Sequence, residues 1–119
     1  MLKGWEHEFP DPRARLKRFV QMLRNSSDEV VRYGCPIGSL SAELGKTQLP
    51  LQSEAAQMLQ LFREWLTRQL LLLGLPDAKT KAMHLITIAQ GASLVSSVYH
   101  DPSILDGEAA RLDAWIDSC

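Results

Sequence analysis

Cys35 has the clearest potential for covalent chemistry in this chain. It follows Gly34 and precedes Pro36, ahead of a short helix-forming run that ends at Gly45. With Pro36 at the first helical position, the thiol would lie at a helix N-terminus, where free N–H groups and the helix dipole stabilise a thiolate. Cys35 would then be a possible redox thiol. The alternative, which we favour because free cysteines are often buried, is that Cys35 is a small buried residue in a tight turn without a redox role.

Metal and catalytic sites have little support in the sequence. Cys35 and Cys119 are far apart, and His7, His84 and His100 are scattered, so no zinc-ligand spacing exists. The chain also has no phosphate-binding glycine loop and no nucleophile elbow. Because no acid–base pair stands out either, we predict no enzyme, no metal and no cofactor.

Methionine and aromatic side chains from four segments could line one apolar cavity, because this combination suits an adaptable pocket. Tyr33, Thr87 and Gln90 would be its few polar contacts. Ordinary core packing is the simpler explanation of the same residues, and both interpretations stay open. The predicted ligand-binding residues are Phe19, Met22, Tyr33, Cys35, Met58, Phe62, Trp65, Met83, Thr87 and Gln90.

The segments that carry these residues are predicted to be helices. Asp-Pro pairs start two of them, and Gly74 with Pro76 stops the longest. No alternating run predicts a strand. We therefore expect an all-α antiparallel bundle of about five to six helices, in one domain over residues 1–119. Its main helices should run from Pro12 to about Asn25, from Leu49-Pro50 to about Leu73, from Asp77 to about Tyr99, and onward from Asp101-Pro102.

The segment from Asp77 to Tyr99 is apolar or small almost all round, so it should bury two opposite faces. A chain this short has few helices to cover both, and a second subunit is a natural source. One face, facing the chain's own pocket, would carry Met83, Ile86, Thr87, Gln90 and Leu94. The opposite face would carry Leu85, Ile88, Ala89, Ala92, Val95, Ser96 and Tyr99.

The bulk composition limits the possible partners. The 119 residues have a formal net charge of −1, which gives no overall field for nucleic acid or an anionic membrane. Arg13, Arg15, Lys17, Arg18 and Arg24 are expected to form a solvated face of their helix. The longest apolar run is too short to span a membrane, and no secretory signal is present. Two cysteines and no signal favour the cytoplasm.

The stretch Arg32 to Gly45, R-Y-G-C-P-I-G-S-L-S-A-E-L-G, resembles a segment of the C-terminal effector-binding domain of TetR/AcrR-type transcriptional regulators. In that family the pattern is G-C-x-[IL]-G-x-L-[AS]-x-E-L. It follows a helix opening similar to Asp11 to Leu16 and precedes a long helix similar to Leu51 to Leu73. The segment Ile88 to Ala92 resembles the glycine-containing penultimate helix of the family, and Asp101 to Ser103 the start of its last helix.

This resemblance implies a homodimer that binds a small hydrophobic effector and releases DNA. In the family, the last two helices pair with those of a second subunit, which adds Leu112, Trp115 and Ile116 to the predicted dimer interface. Operator DNA would be bound only through an N-terminal domain that these residues lack, and residues 1–10 would be the end of a linking helix. The short helix after Cys35 would be a mobile element near the effector.

A helical adaptor that binds a partner helix and no small molecule is the alternative from a different functional class. It would expose an apolar groove, whereas a sensor would enclose its pocket. The two hypotheses therefore differ in whether a small hydrophobic compound stabilises the chain against heat.

Overall fold

The computed structural model describes residues 1–25 and 49–119, and in the second range it describes side chains from residue 56 onward. This part of the chain contains helices and no strand, which confirms the all-α prediction. Tyr33, Cys35 and the predicted short helix after Cys35 lie outside the described residues. The helices are α1, Leu2–Glu8; α2, Pro12–Asn25; α3, Leu49–Leu72; α4, Ala78–Tyr99; and α5, Pro102–Ser118.

Asp-Pro pairs start two of the helices, as the sequence predicts. At the start of α2, the backbone N–H of Ala14 donates to Oδ1 of Asp11 at 2.8 Å. At the start of α5, the backbone N–H of Ser103 donates to Oδ1 of Asp101 at 3.0 Å. Each aspartate accepts a hydrogen bond from an N–H group that has no partner within its helix. Both helix starts are therefore determined by residues next to them in the sequence.

The turn between α3 and α4 confirms Gly74 as the end of the long helix, but it does not confirm Asp77, which the sequence also predicts as the N-cap of α4. Gly74 has a φ of +78°, which glycine adopts without strain, and its N–H donates to the Leu71 carbonyl oxygen at 2.9 Å. Asp77 has a left-handed backbone with a φ of 54°, and its side chain makes no capping hydrogen bond to the described residues. A side-chain cap usually needs extended backbone, so Asp77 serves as a turn residue instead.

The core forms where α4 packs against both α3 and α5, while α2 packs against α5 and α3. Short turns join α3 to α4 and α4 to α5, so consecutive helices run antiparallel. Leucine, valine, isoleucine and alanine side chains fill the centre and exclude water. The described hydrophobic residues with no exposed surface are Leu16, Val20, Leu66, Leu70, Ala82, Ala109 and Ile116.

The basic residues of α2 are not a solvated face, and this prediction is wrong. Lys17 pairs with Asp117 at 2.7 Å, and Arg24 pairs with Asp113 at 3.1 Å. Arg13 donates to carbonyl oxygens at the end of α5. These three residues share one flank of α2 and fix it to the acidic flank of α5.

Candidate functional site

Four aromatic side chains, Trp5, Phe19, Phe62 and Trp65, form what we call the aromatic cluster where α1, α2 and α3 meet. All four are buried. The rings of Phe19 and Phe62 lie 6.1 Å apart between centroids, and those of Trp5 and Trp65 lie 5.5 Å apart, edge to face. The structure thus brings together three predicted ligand-binding residues, Phe19, Phe62 and Trp65, on two packed helices.

Two hydrogen-bond donors are buried at the aromatic cluster without a partner among the described residues. They are Nε1 of Trp65 and Nη1 of Arg18. The Arg18 guanidinium lies over the Trp5 ring, with Cζ 4.9 Å from the ring centroid, a distance that permits a cation–π interaction. Buried donors are almost always satisfied in folded proteins, so two at one place mark a polar position inside an apolar site.

Arg15 fixes α1 beside the aromatic cluster. Its Nε donates to the Phe9 carbonyl oxygen at 2.9 Å, and its Nη2 donates to the Glu6 carbonyl oxygen at 3.2 Å. Its Nη1 also donates to Oε1 of Gln69, a buried residue of α3, at 3.2 Å. The Glu6 carboxylate in turn pairs with Arg68 of α3 at 3.2 Å. A cation at the end of α1 also suits the negative end of its dipole.

The other predicted ligand-binding residues outside α4 are spread out. Met58 is 49% exposed on α3, whereas Met22 on α2 is half-buried and packs against the core. Gln90 on α4 is half-buried. Because Tyr33 and Cys35 lie outside the described residues, a single cavity lined by the whole set stays a prediction.

The two sides of α4 differ in side-chain size and in exposure. Its inner side is buried and rich in small residues, while large apolar side chains stand on the outer side. Leu94 is 62% exposed and Val98 is 66% exposed. We call the outer set the exposed stripe; it comprises Met83, Thr87, Gly91, Leu94, Val95 and Val98.

This arrangement reverses the predicted faces of α4. Ala89, Ala92 and Ser96, which we expected to face a second subunit, are buried within the chain itself, and so is Leu85. Small side chains let α4 approach α3 and α5 closely, and they therefore face inward. A helix that is apolar all round gives no sequence signal for which side that is. Of the remaining predicted contacts on α4, Val95 and Tyr99 are exposed and Ile88 is half-buried.

Three residues predicted to face the chain's own pocket lie on the outer side of α4. Met83 is 40% exposed, and Leu94 and Thr87 are exposed as well. The Thr87 hydroxyl donates to the Met83 carbonyl oxygen at 2.8 Å, so it is already satisfied within its helix. Only Ile86 of that predicted face is buried.

The stripe predicted on the last helix also turns inward. Leu112 and Ile116 are buried against the core, and Trp115 is half-buried beside them. They therefore offer a second subunit little surface. The outer side of α5 is instead small and polar, with exposed residues Ser103, Asp106, Ala110 and Ala114.

Gly91 stands in the middle of the exposed stripe with open space around it. A Cβ atom built there would meet no atom within 4 Å in the described part of the chain, other than its own helix backbone. Glycine inside a helix is less favourable than alanine by about 1 kcal/mol. The packing of the described residues therefore does not require glycine at this position.

Trp5 and Arg18 belong to the site but were not predicted for it. Trp5 lies in a segment too short to show helical periodicity. The position of Arg18 around the axis of α2 could have indicated that it does not face α5. Arg13, Lys17 and Arg24 fall on the flank that faces α5, whereas Arg18 falls with Arg15 on the opposite flank.

Metal and membrane sites have no candidates in the part of the chain that is described. No three His, Cys, Asp or Glu residues among residues 1–25 and 49–119 are grouped so that they could hold an ion. None of the described helices is both long and apolar enough to cross a bilayer.

Comparison with known families gives one match. A family model described as the C-terminal domain of LmrA/YxaF-like transcriptional regulators, a TetR-type domain, matches residues 12–111. The match begins at the first residue of α2 and ends within α5, so it includes the whole of α4 and three of the four residues of the aromatic cluster. A search of curated proteins finds no match.

Proposed function

The chain belongs to the family of TetR-type C-terminal domains of LmrA/YxaF-like transcriptional regulators, and we propose that it senses a small hydrophobic effector and holds two subunits together. Effector binding would release the parent regulator, a repressor, from DNA. The exposed stripe of α4 is the observation that carries this proposal. It is an exposed and mostly apolar row on the penultimate helix of the domain, and the resemblance to TetR-type regulators implies that the last two helices pair between subunits.

A second copy of the chain is the occupant that suits the exposed stripe. Leu94 and Val98 lie one helical turn apart and are both about two-thirds exposed. Gly91 lies one turn before Leu94 on the same side of α4, where the lack of a side chain would allow a partner helix to approach closely. On the adjacent helix α5, the exposed residues Ala110 and Ala114 have small side chains, which suit a tight four-helix contact.

The aromatic cluster is the part of the chain that suits an effector. It is buried and built mostly from rigid aromatic rings, and it combines these with a small number of polar groups, as ligand pockets do. Because α1 leads into the cluster through Trp5, a ligand there would act directly on the first helix of the chain. We propose that residues 1–10 end a linking helix and that a DNA-binding domain precedes them in a longer protein.

An exchange of one leucine for glutamate tests the dimer. Leu94→Glu puts a charge in the exposed stripe, and the control Leu72→Glu puts it on α3, where Leu72 is 65% exposed. Sedimentation equilibrium should show that the unaltered chain and Leu72→Glu associate, while Leu94→Glu stays a monomer, because a buried unpaired charge is costly. Equal masses for the two variants would remove the exposed stripe from the interface.

Thermal unfolding with small hydrophobic compounds tests the effector. A ligand that binds only the folded chain raises the melting temperature with its concentration. The proposal predicts such a rise, together with quenching of tryptophan fluorescence at the aromatic cluster. If the chain dimerises but no compound shifts its melting temperature, and a peptide helix binds instead, the adaptor is the better description.

A further inference from the structure

The two unpartnered donors of the aromatic cluster require an acceptor. The indole Nε1 of Trp65 can only donate, and the guanidinium of Arg18 carries donors and no acceptor. Trp65 is 2% exposed, and Nη1 of Arg18 is buried as well. Water cannot reach either group freely, and a buried donor without a partner is unfavourable. An acceptor group brought by a ligand would remove this cost.

The two side chains that carry these donors contact the same ring, that of Trp5. Arg18 stacks on the face of Trp5 at 4.9 Å, and Trp65 meets Trp5 edge to face at 5.5 Å. Phe19 and Phe62 are the aromatic side chains that follow Arg18 on α2 and precede Trp65 on α3. A ligand that reached both donors would therefore have apolar rings beside it.

The charges around this junction favour an anion. Arg15, Arg18 and Arg68 all contact α1, and the carboxylate in these contacts is that of Glu6, which already pairs with Arg68. Among the side chains in these contacts, the positive charges outnumber the negative one. Arginine stays protonated in proteins, so this excess does not disappear when the group is buried.

We propose that the effector of this domain is an aromatic carboxylate, whose oxygens accept hydrogen bonds from Nη1 of Arg18 and Nε1 of Trp65. This inference rests on the proposed sensing function and names the ligand class that its site would take. The carboxylate satisfies both donors and the charge of Arg18, while the ring of the ligand packs among the aromatic side chains.

Three probes with the same ring system separate charge from apolar contact: naphthalene-2-carboxylate, its methyl ester and 2-methylnaphthalene. Calorimetric titration of the full chain should show that the carboxylate binds at least about tenfold more tightly than the ester, because a hydrogen bond to a charged group is among the stronger ones. In a ¹⁵N spectrum, the Trp65 indole N–H signal should move with the carboxylate and not with 2-methylnaphthalene.

Two variants remove the donors while keeping side-chain bulk. Trp65→Phe removes the indole N–H and keeps an aromatic ring, and Arg18→Met removes the charge and keeps an apolar stem over Trp5. Each should lower the affinity for the carboxylate relative to that for the ester by about tenfold. The control is Arg111→Met, because the Arg111 side chain is 73% exposed and pairs with Glu108 on its own helix; it should bind all three probes as the unaltered chain does.

The outcomes distinguish this inference from the proposed function. If the ester and 2-methylnaphthalene bind as tightly as the carboxylate, the chain still senses hydrophobic compounds but the carboxylate inference is overturned. Unchanged carboxylate binding in both Arg18→Met and Trp65→Phe also overturns it. If a folded, dimeric chain binds none of the three probes at millimolar concentration, the carboxylate inference is overturned too. The thermal unfolding screen with other hydrophobic compounds then decides the sensing function separately.

Discussion

Arg13 and Ile116 lie 103 positions apart in the chain, and Nη1 of Arg13 donates to the Ile116 carbonyl oxygen at 2.9 Å. The same nitrogen donates to the Asp117 carbonyl oxygen at 3.0 Å, and Nη2 donates to that of Cys119. These carbonyl groups lie at the C-terminal end of α5, where the helix supplies few donors; the Ile116 carbonyl oxygen also accepts the backbone N–H of Cys119 at 3.2 Å. One guanidinium at the start of α2 therefore caps the C-terminus of α5 and closes the bundle.

Replacing Arg13 by methionine should destabilise the fold by about 1–2 kcal/mol, because the end of α5 loses its donor and a favourable charge at the helix C-terminus. Denaturant unfolding measures this difference. Arg111→Met serves as the control, since an exposed pair within one helix contributes about 0.5 kcal/mol or less. Equal losses in the two variants would show that Arg13 does not act as a cap.

Two serines on the buried side of α4 differ only in their hydrogen bonding. The Ser93 hydroxyl donates to the Ala89 carbonyl oxygen at 2.7 Å, whereas the Ser96 hydroxyl has no partner in the described part of the chain. Both replacements by alanine gain the same helix propensity. We therefore expect Ser96→Ala to be more stable than Ser93→Ala by about 1 kcal/mol in denaturant unfolding. The reverse order would mean that the Ser96 hydroxyl is satisfied in solution.

We expect the stability of the fold to decrease at low pH as the Asp101 carboxylate at the start of α5 becomes protonated. Hydrogen bonds from the hydroxyl and then the backbone N–H of Ser103 lower the pKa of Asp101 below its ordinary value of 3.8. A lowered folded-state pKa gives stabilisation that is present above the ordinary pKa and is lost as the pH falls through the folded pKa.

Asp101→Asn keeps a capping oxygen that does not titrate. The advantage of the unaltered chain over this variant in melting temperature should therefore shrink as the pH falls from about 5 to about 2. A constant difference across this range would exclude Asp101 as the titrating cap.

Two substitutions at Gly91 should affect the folding stability of one subunit and the association of two subunits in different ways. Gly91→Ala should raise the stability of the dilute monomer by about 0.5–1 kcal/mol, because alanine favours the helix and its Cβ meets no described side chain. Gly91→Leu should weaken association, because its larger side chain keeps a partner helix away. Light scattering at a matched concentration compares the two variants, and equal association would place Gly91 outside the contact.

The sequence predicts the helix boundaries of this chain well because the signals are local. The capping pairs before α2 and α5 and Gly74 after α3 each act within a few residues, and the structure has all three. The resemblance to TetR-type regulators is confirmed by the family match over residues 12–111. Neither observation requires knowledge of how the helices pack.

The sequence did not predict which side of α4 faces the core, nor which groups the basic side chains of α2 contact. On α4, apolar side chains surround the helix, so periodicity cannot decide between Ala89 and Leu94 for the inner side. On α2, the cations mark polar positions but not their partners, so the Arg18 position over Trp5 was missed. Both outcomes depend on contacts between distant segments, which local patterns do not contain.

The central claim is that the exposed stripe of α4 joins two copies of this chain. Sedimentation equilibrium of the unaltered chain over a range of concentrations tests it most directly. We expect a species of twice 13.3 kDa that dissociates on dilution and is absent in Leu94→Glu. A mass of one chain at every concentration, or a dimer that Leu94→Glu leaves intact, would contradict it.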